Sequence, residues 1–155
     1  MEKVIQYRRA LHRIPELGFD LPLTVAFVRD TLAPLPCSLS SPAQSSLCAF
    51  FDAGRDDTIA LRADMDALPI TEQTNCEYAS RHPGKMHACG HDAHTAMLLS
   101  VAEYIAENLV NLPHNVLLIF EPAEETDGGA RLICDSGILE EKKVFAVFGI
   151  HMWPG

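Results

Sequence analysis

The 155-residue sequence lacks several features that mark particular classes of protein. It has no apolar run near the roughly 20 residues that cross a bilayer, and its first residues lack the apolar core of a signal peptide. Basic residues number 12 against 21 acidic ones, and the net charge of −9 opposes binding to nucleic acid or to an anionic membrane. These absences predict a cytoplasmic protein with neither nucleic acid nor membrane as a partner.

The cysteines are too few and too irregularly spaced to form a disulfide framework. An odd number leaves at least one thiol unpaired, so reduced thiols are expected, and one or more of them can bind metal. The five are Cys37, Cys48, Cys76, Cys89 and Cys134. Internal repeats and linkers are also absent, and the chain, at 48% hydrophobic residues, is long enough for one domain with a core.

The spacing of apolar residues predicts helices that alternate with strands. The predicted helices cover residues 3–12, 23–32, 92–109 and 128–134. The predicted strands cover residues 45–52, 58–63, 115–120 and 144–150. Residues 67–90 form a long loop, of the kind that usually carries function in a compact domain. This alternation predicts a layered α/β domain, but it leaves the order of the strands open.

Side chains that can bind metal follow three of the predicted strands and begin the longest helix. Ligands of α/β proteins bind beyond the carboxyl ends of the strands, so we expect these segments to share one site. In chain order, the candidates are Asp64, Asp66, Cys89, His91, Asp92, His94, Glu124, Glu125 and His151.

The pair Cys89 and His91 has two interpretations of equal weight. A thiolate and an imidazole two residues apart can reach one metal from a tight turn at Gly90, and the helix N-terminus that follows favours the thiolate. Otherwise the pair is a buried cysteine beside a capped helix. Asp92 either caps that helix or accepts a hydrogen bond from a ligating imidazole.

The acidic pairs and His151 have similar alternatives. Glu124 and Glu125 point to opposite sides of an extended chain, so one can bind metal while the other faces substrate; alone, the pair is more often a solvated acidic loop. Asp64 and Asp66 either orient ligating histidines or form a turn, and a lone histidine such as His151 is usually a core residue. The mixture of sulfur, nitrogen and oxygen donors suits zinc, cobalt, nickel or manganese.

Longer motifs carry a family resemblance. The chain contains, in order, YRRALHRIPELGF (7–19), ALRADMDALPI (60–70), KMHACGHDAHTAMLL (85–99), IFEPAEE (119–125), GGARLICDSGIL (128–139) and FGIHMWPG (148–155). Together these segments closely resemble the metallopeptidase family that contains aminoacylases, hippurate hydrolases and auxin-conjugate (IAA-amino acid) hydrolases.

The resemblance implies a three-layer α/β catalytic domain of the zinc-exopeptidase (phosphorylase/hydrolase-like) type, with a mixed sheet and two divalent metal ions. It also implies hydrolysis of the amide bond of N-acyl amino acids or short peptides by a metal-activated water. Glu124 is then the general base. The implied metal ligands are Cys89, which bridges the two ions, and His91, Glu125 and His151; the implied supporting residues are Asp64, Asp66, Asp92 and His94.

The chain is less than half as long as the family resemblance leads us to expect. Residues 1–155 are therefore expected to be the N-terminal part of a truncated catalytic domain, without the lid or dimerisation domain and without one further histidine ligand. The resemblance also implies a homodimer for the full-length form, and we expect this chain alone to be inactive.

Two other functions were weighed against hydrolysis. The first is a catalytically incompetent fragment that only binds metal. The second is a metallodeaminase, which also uses Cys, His and Glu; its Pro-Cys-x-x-Cys motif does not occur in this sequence.

Overall fold

A computed structural model describes residues 2–126 and 128–153. In chain order, its elements are α1 (Glu2–His12), α2 (Pro22–Leu32), β1 (Ser38–Ser40), β2 (Leu47–Phe51), β3 (Thr58–Asp64), α3 (His91–Asn108), a 3₁₀ helix (Leu109–Asn111), β4 (Asn115–Glu121), α4 (Gly129–Asp135), α5 (Ile138–Glu141) and β5 (Val144–Gly149). Every predicted helix and strand is present, with its ends within two residues of the prediction. The short elements β1 and α5 were not predicted, because three and four residues are too few to show a period.

The five strands form one mixed sheet in the order β1-β2-β4-β3-β5. Strand β2 is antiparallel to both of its neighbours, whereas β3 is parallel to β4 on one side and to β5 on the other. The register sets Asp64 beside Glu121 and Arg62 beside Gly149. Because the carboxyl ends of parallel strands lie at one edge of the sheet, the residues that follow β3, β4 and β5 emerge together.

Helices cover both faces of the sheet, which confirms the predicted three-layer α/β arrangement. Strand β4 is buried along its whole length, and its side chains alternate between two cores. Leu118 and Phe120 pack with residues of α2 and α3, such as Leu99. Leu117 and Ile119 pack on the opposite face with residues of α4 and α5.

Helix α3 is the longest element, and it brings its first turn to the carboxyl edge of β3. The hydroxyl of Thr95 donates a hydrogen bond to the backbone oxygen of Asp64, with an oxygen–oxygen distance of 2.8 Å. Residues 67–90 contain neither helix nor strand, as predicted, and are closed by an isolated bridge between Leu68 and Met86. Neither α3 nor any other helix in the described residues is long and apolar enough to cross a membrane.

Strand β5 forms one edge of the sheet and pairs with β3 alone among the described strands. Several of its apolar side chains are exposed to solvent: Phe145, Val147 and Phe148 are each more than half exposed. Side chains on both faces of this edge therefore contact solvent.

Gly129 sets the packing of α4 against the segment that follows β4. A Cβ atom added to Gly129 would lie 1.9 Å from the carbonyl oxygen of Pro122, so the backbone must shift to accommodate any side chain. We expect Gly129→Ala to lower the free energy of unfolding by about 3 kcal/mol, measured by urea denaturation. Gly149→Ala is the matched control, because its Cβ would meet Arg62 at an ordinary 3.8 Å. Equal stability of the two variants would contradict this account of Gly129.

Candidate metal centre

His91, the first residue of α3, lies at the centre of the predicted site and is almost completely buried. Its Nε2 is 3.7 Å from Oε1 of Glu125 and 3.8 Å from Oε2 of Glu124. Its Nδ1 is 3.4 Å from Oδ1 of Asp66. The helix therefore meets the segments that follow β3 and β4 at this one imidazole.

The two glutamates lie in a turn. Ala123 has a positive φ of 55°, and the carboxylate of Asp66 accepts the backbone N–H groups of Glu124 (3.0 Å) and Glu125 (3.1 Å). The prediction that the two side chains point to opposite sides of an extended chain is therefore wrong, because the bend directs both carboxylates toward His91. Their exposure differs: the side chain of Glu124 is 40% exposed and that of Glu125 is 23% exposed.

Cys89 and His151 meet on another side of His91. Sγ of Cys89 is 3.4 Å from Nε2 of His151, while Nδ1 of His151 lies 2.6 Å from the backbone oxygen of Met152. Because that carbonyl can only accept, the proton of His151 is on Nδ1 and the lone pair of Nε2 faces the thiol.

Three groups of side chains are spaced as the ligands of one metal ion. Within each group the candidate donor atoms lie within 4.8 Å of one another, and His91 belongs to all three. The groups are Cys89, His91 and His151; His91, Glu124 and Glu125; and Asp64, His91 and His94.

Asp64 connects the third group to the sheet. Its Oδ1 lies 2.6 Å from Nδ1 of His94, and its Oδ2 accepts a hydrogen bond of 2.7 Å from Arg62. Burial raises the pKa of Asp64, but the hydrogen bond from His94, with His91 and Arg62, outweighs burial and leaves the pKa below its usual range. Asp64 therefore stays ionised, and its negative charge stabilises the hydrogen-bond donors of His94 and Arg62.

Asp92 is linked to α1. Its carboxylate lies 2.7 Å from Nδ1 of His12 and 3.3 Å from Nε of Arg8, and the N-cap of α3 is Gly90. Neither predicted role of Asp92, as a helix cap or as an acceptor for a ligating imidazole, appears among its hydrogen bonds. It supports the first turn of α3 instead.

His12 is the main residue near the site that the sequence argument missed. Its second nitrogen lies 3.2 Å from Oε1 of Glu72, so it joins α1 and α3 to the long loop. The hydrogen bond to Asp92 raises the pKa of His12 above its usual range. The motif that contains His12 was part of the family resemblance, but no spacing connects it with Asp92, 80 residues later.

His87 is a second buried histidine, and the sequence predicts only a structural role for it. Burial lowers its pKa to about 4, so the imidazole is neutral at pH 7. Neither ring nitrogen has a hydrogen-bond partner in the described part of the chain. It borders a cleft of about 390 Å³ that also reaches Cys89, Tyr78 and Trp153.

The surroundings of Cys89 favour its protonated thiol. Partial burial, followed by the nearby carboxylates of Glu125 and Glu124, raises its pKa to about 11. Burial and these carboxylates oppose the thiolate that the helix N-terminus was predicted to favour. The same carboxylates attract a cation, and a bound divalent ion deprotonates a coordinating thiol.

The donors fit a transition-metal site. Nε2 of His91 and Oε1 of Glu125 are buried without hydrogen-bond partners among the described residues, although they lie only 3.7 Å apart. Two unpaired polar atoms at this distance match two ligands of one ion, since each would be about 2 Å from it. Imidazole, thiol and carboxylate donors together favour zinc or its neighbours over calcium or magnesium.

Comparison with known proteins gives consistent matches. Peptidase family M20/M25/M40 matches residues 60–155. IAA-amino acid hydrolase ILR1-like 5 of Arabidopsis thaliana is 43% identical over 96% of this chain and 34% of its own length. An uncharacterized hydrolase of Staphylococcus haemolyticus is 41% identical, over 99% of this chain and 41% of its own.

A solved structure has the same fold at similar identity. The YXEP protein of Bacillus subtilis, described as a dinuclear metal binding peptidase from the M20 family, superimposes with a TM-score of 0.92. It is 39% identical, and the match covers 99% of this chain and 43% of that protein. This chain thus spans about two fifths of the length of the proteins that it resembles.

Metal binding should strengthen as pH rises. The thiol of Cys89, with its pKa of about 11, must lose a proton to bind metal. The apparent affinity for Zn²⁺ should therefore rise by about tenfold per pH unit between pH 6 and 8 for each proton released. Chelator competition measures the affinity, and titration calorimetry in buffers of different ionisation enthalpy counts the protons. An affinity that is independent of pH would contradict this prediction.

Proposed function

Because the chain belongs to peptidase family M20/M25/M40, we propose that it is a metal-dependent hydrolase acting on the amide bond of N-acyl amino acids or short peptides. The observation that carries the proposal is the convergence of thiol, imidazole and carboxylate donors from four separate segments on His91. A further support is the fold, which matches a dinuclear metal binding peptidase at 39% identity.

In this proposal, Cys89, His91, Glu125 and His151 are the residues that would hold two divalent metal ions. The nitrogen and sulfur donors favour zinc, manganese, cobalt or nickel. When bound, such ions polarise a carbonyl group and lower the pKa of a water molecule.

Glu124 is the proposed general base. Its carboxylate reaches within 3.8 Å of His91 while remaining 40% exposed, so a substrate can approach it. Its backbone N–H is held by Asp66, which keeps the carboxylate at the site. Glu124 takes a proton from the attacking water and delivers it to the leaving amine.

The proposed substrate class rests on the relatives and on the cleft beside Cys89. The Arabidopsis relative, at 43% identity, is an IAA-amino acid hydrolase. The cleft of about 390 Å³ is in the size range of small-molecule sites. Tyr78 and Trp153 contribute aromatic surface to it, and Arg8 contributes a positive charge.

The second candidate is a chain that binds metal without hydrolysing substrate. The favouring observation is that the chain spans about two fifths of its relatives. Elemental analysis separates the two: two metal ions per chain favour a working site, and one or none favours the second candidate. A truncated catalytic domain, a cytoplasmic location and a homodimeric full-length form stay predictions from the sequence.

Glu124→Gln removes the proposed base but keeps the size of the side chain. We expect hydrolysis of an N-acetyl amino acid to fall by about 10²- to 10⁴-fold, with unchanged metal content, in any form of the enzyme that turns over. Glu141→Gln, at an exposed position on α5, is the matched control. Hydrolysis at the wild-type rate by Glu124→Gln would refute this role.

Cys89→Ala should lower the number of metal ions bound per chain, because it removes one of the proposed ligands. Metal content after dialysis, measured by elemental analysis, tests this prediction. Cys134→Ala changes an exposed cysteine outside the site and should retain the wild-type content. Equal metal content in the two variants would exclude Cys89 as a ligand.

A further inference from the structure

We propose that His94 is a positioning residue, which fixes the imidazole of His151 through the backbone N–H of Met152. The inference rests on the proposed function, in which His151 is a metal ligand. The observation behind it is a pair of hydrogen bonds, one on each nitrogen of a buried imidazole.

The two bonds define the protonation of His94. Nε2 of His94 accepts a hydrogen bond of 2.8 Å from the backbone N–H of Met152. Because that N–H can only donate, the proton of the neutral ring must lie on Nδ1, where it is donated to Oδ1 of Asp64 at 2.6 Å. Both nitrogens are therefore engaged, and His94 is not a ligand in this arrangement, although its spacing from His91 would allow it.

A chain of hydrogen bonds between charged groups fixes Asp64, the partner of His94 Nδ1. Asp64 accepts a hydrogen bond of 2.7 Å from Arg62, and Arg62 donates one of 2.6 Å to Glu121. The second oxygen of Glu121 accepts the backbone N–H of Ala130 at 2.8 Å. Both carboxylates are buried, so turning His94 away would leave the Asp64 oxygen without its donor.

His151 needs such a support because it lies beyond the end of β5. Residues 150–153 have no regular secondary structure, and the side chain of His151 is exposed. In the described part of the chain, the bond from Met152 to His94 ties this segment to α3. The two rings are also in contact, with centroids 4.6 Å apart at an angle of 62°. His94 thus limits both the position of the backbone and the tilt of the His151 ring.

Two substitutions of His94 separate its two hydrogen bonds. His94→Asn keeps an N–H donor near the position of Nδ1 but cannot reach Met152, whereas His94→Gln keeps an acceptor near the position of Nε2. The probe is Co²⁺ alone, followed by its visible absorption and by chelator competition. We expect His94→Asn to weaken Co²⁺ binding by about 10- to 100-fold, as is usual for residues that orient ligands, and His94→Gln to restore most of that loss.

The action through His151 is tested by a double-mutant cycle. In the His151→Ala background, His94→Asn should cause no further loss of Co²⁺ affinity, because no imidazole remains to be positioned. An equal loss in both backgrounds would overturn the inference, and so would wild-type Co²⁺ affinity in His94→Asn.

Nitrogen NMR of the wild-type chain gives a test that needs no variant to fold. We expect His94 to be the Nδ1–H tautomer, with ¹¹³Cd coupling to His91 and His151 but not to His94. An Nε2–H tautomer, or a ¹¹³Cd coupling to His94, would overturn the inference. If the wild-type chain binds neither Co²⁺ nor Cd²⁺, the proposed function fails. The measured tautomer of His94 still shows whether its Nε2 can accept the N–H of Met152.

Discussion

The carboxylate of Asp66 is the contact on which the arrangement of the site depends. It accepts the backbone N–H groups of Glu124 and Glu125, and it lies 3.4 Å from Nδ1 of His91. One side chain at the end of β3 thus sets the turn after β4 and faces the first residue of α3. The turn is also closed by the backbone N–H of Gly128, which donates to the carbonyl oxygen of Ala123 at 3.1 Å.

The site is also an electrostatic compromise. Burial, followed by the nearby carboxylates, raises the pKa of the Cys89 thiol. Burial lowers the pKa of His91, but the carboxylates around it outweigh burial and leave that pKa above its usual range. Both shifts favour the protonated forms of these donors, so a divalent cation competes with protons for the same atoms. Arg62 bonds to Asp64 and Glu121 at the rear, which leaves the carboxylates in front as the negative surface that a cation meets.

The sequence predicted the elements of the fold well, because periodicity is local. It also predicted that polar residues at the ends of strands would share one site. In the structure β3 is parallel to β4 and β5, and donor atoms from these segments group around His91. The turn at Glu124 and Glu125 was mispredicted because it depends on Asp66, 58 residues earlier. The pairing of Asp92 with His12 was missed for the same reason, since contacts between distant segments leave no period in the chain.

The open edge at β5 has a consequence for handling the protein. Among the described strands, none pairs with the outer side of β5. Its backbone groups beside exposed Phe145 and Phe148 therefore form a template that a second polypeptide can extend by hydrogen bonding. Association through such an edge grows with concentration, and the charge of −9 opposes it most strongly at low ionic strength. Dilute solutions of low salt are therefore the conditions in which the behaviour of a single chain can be measured.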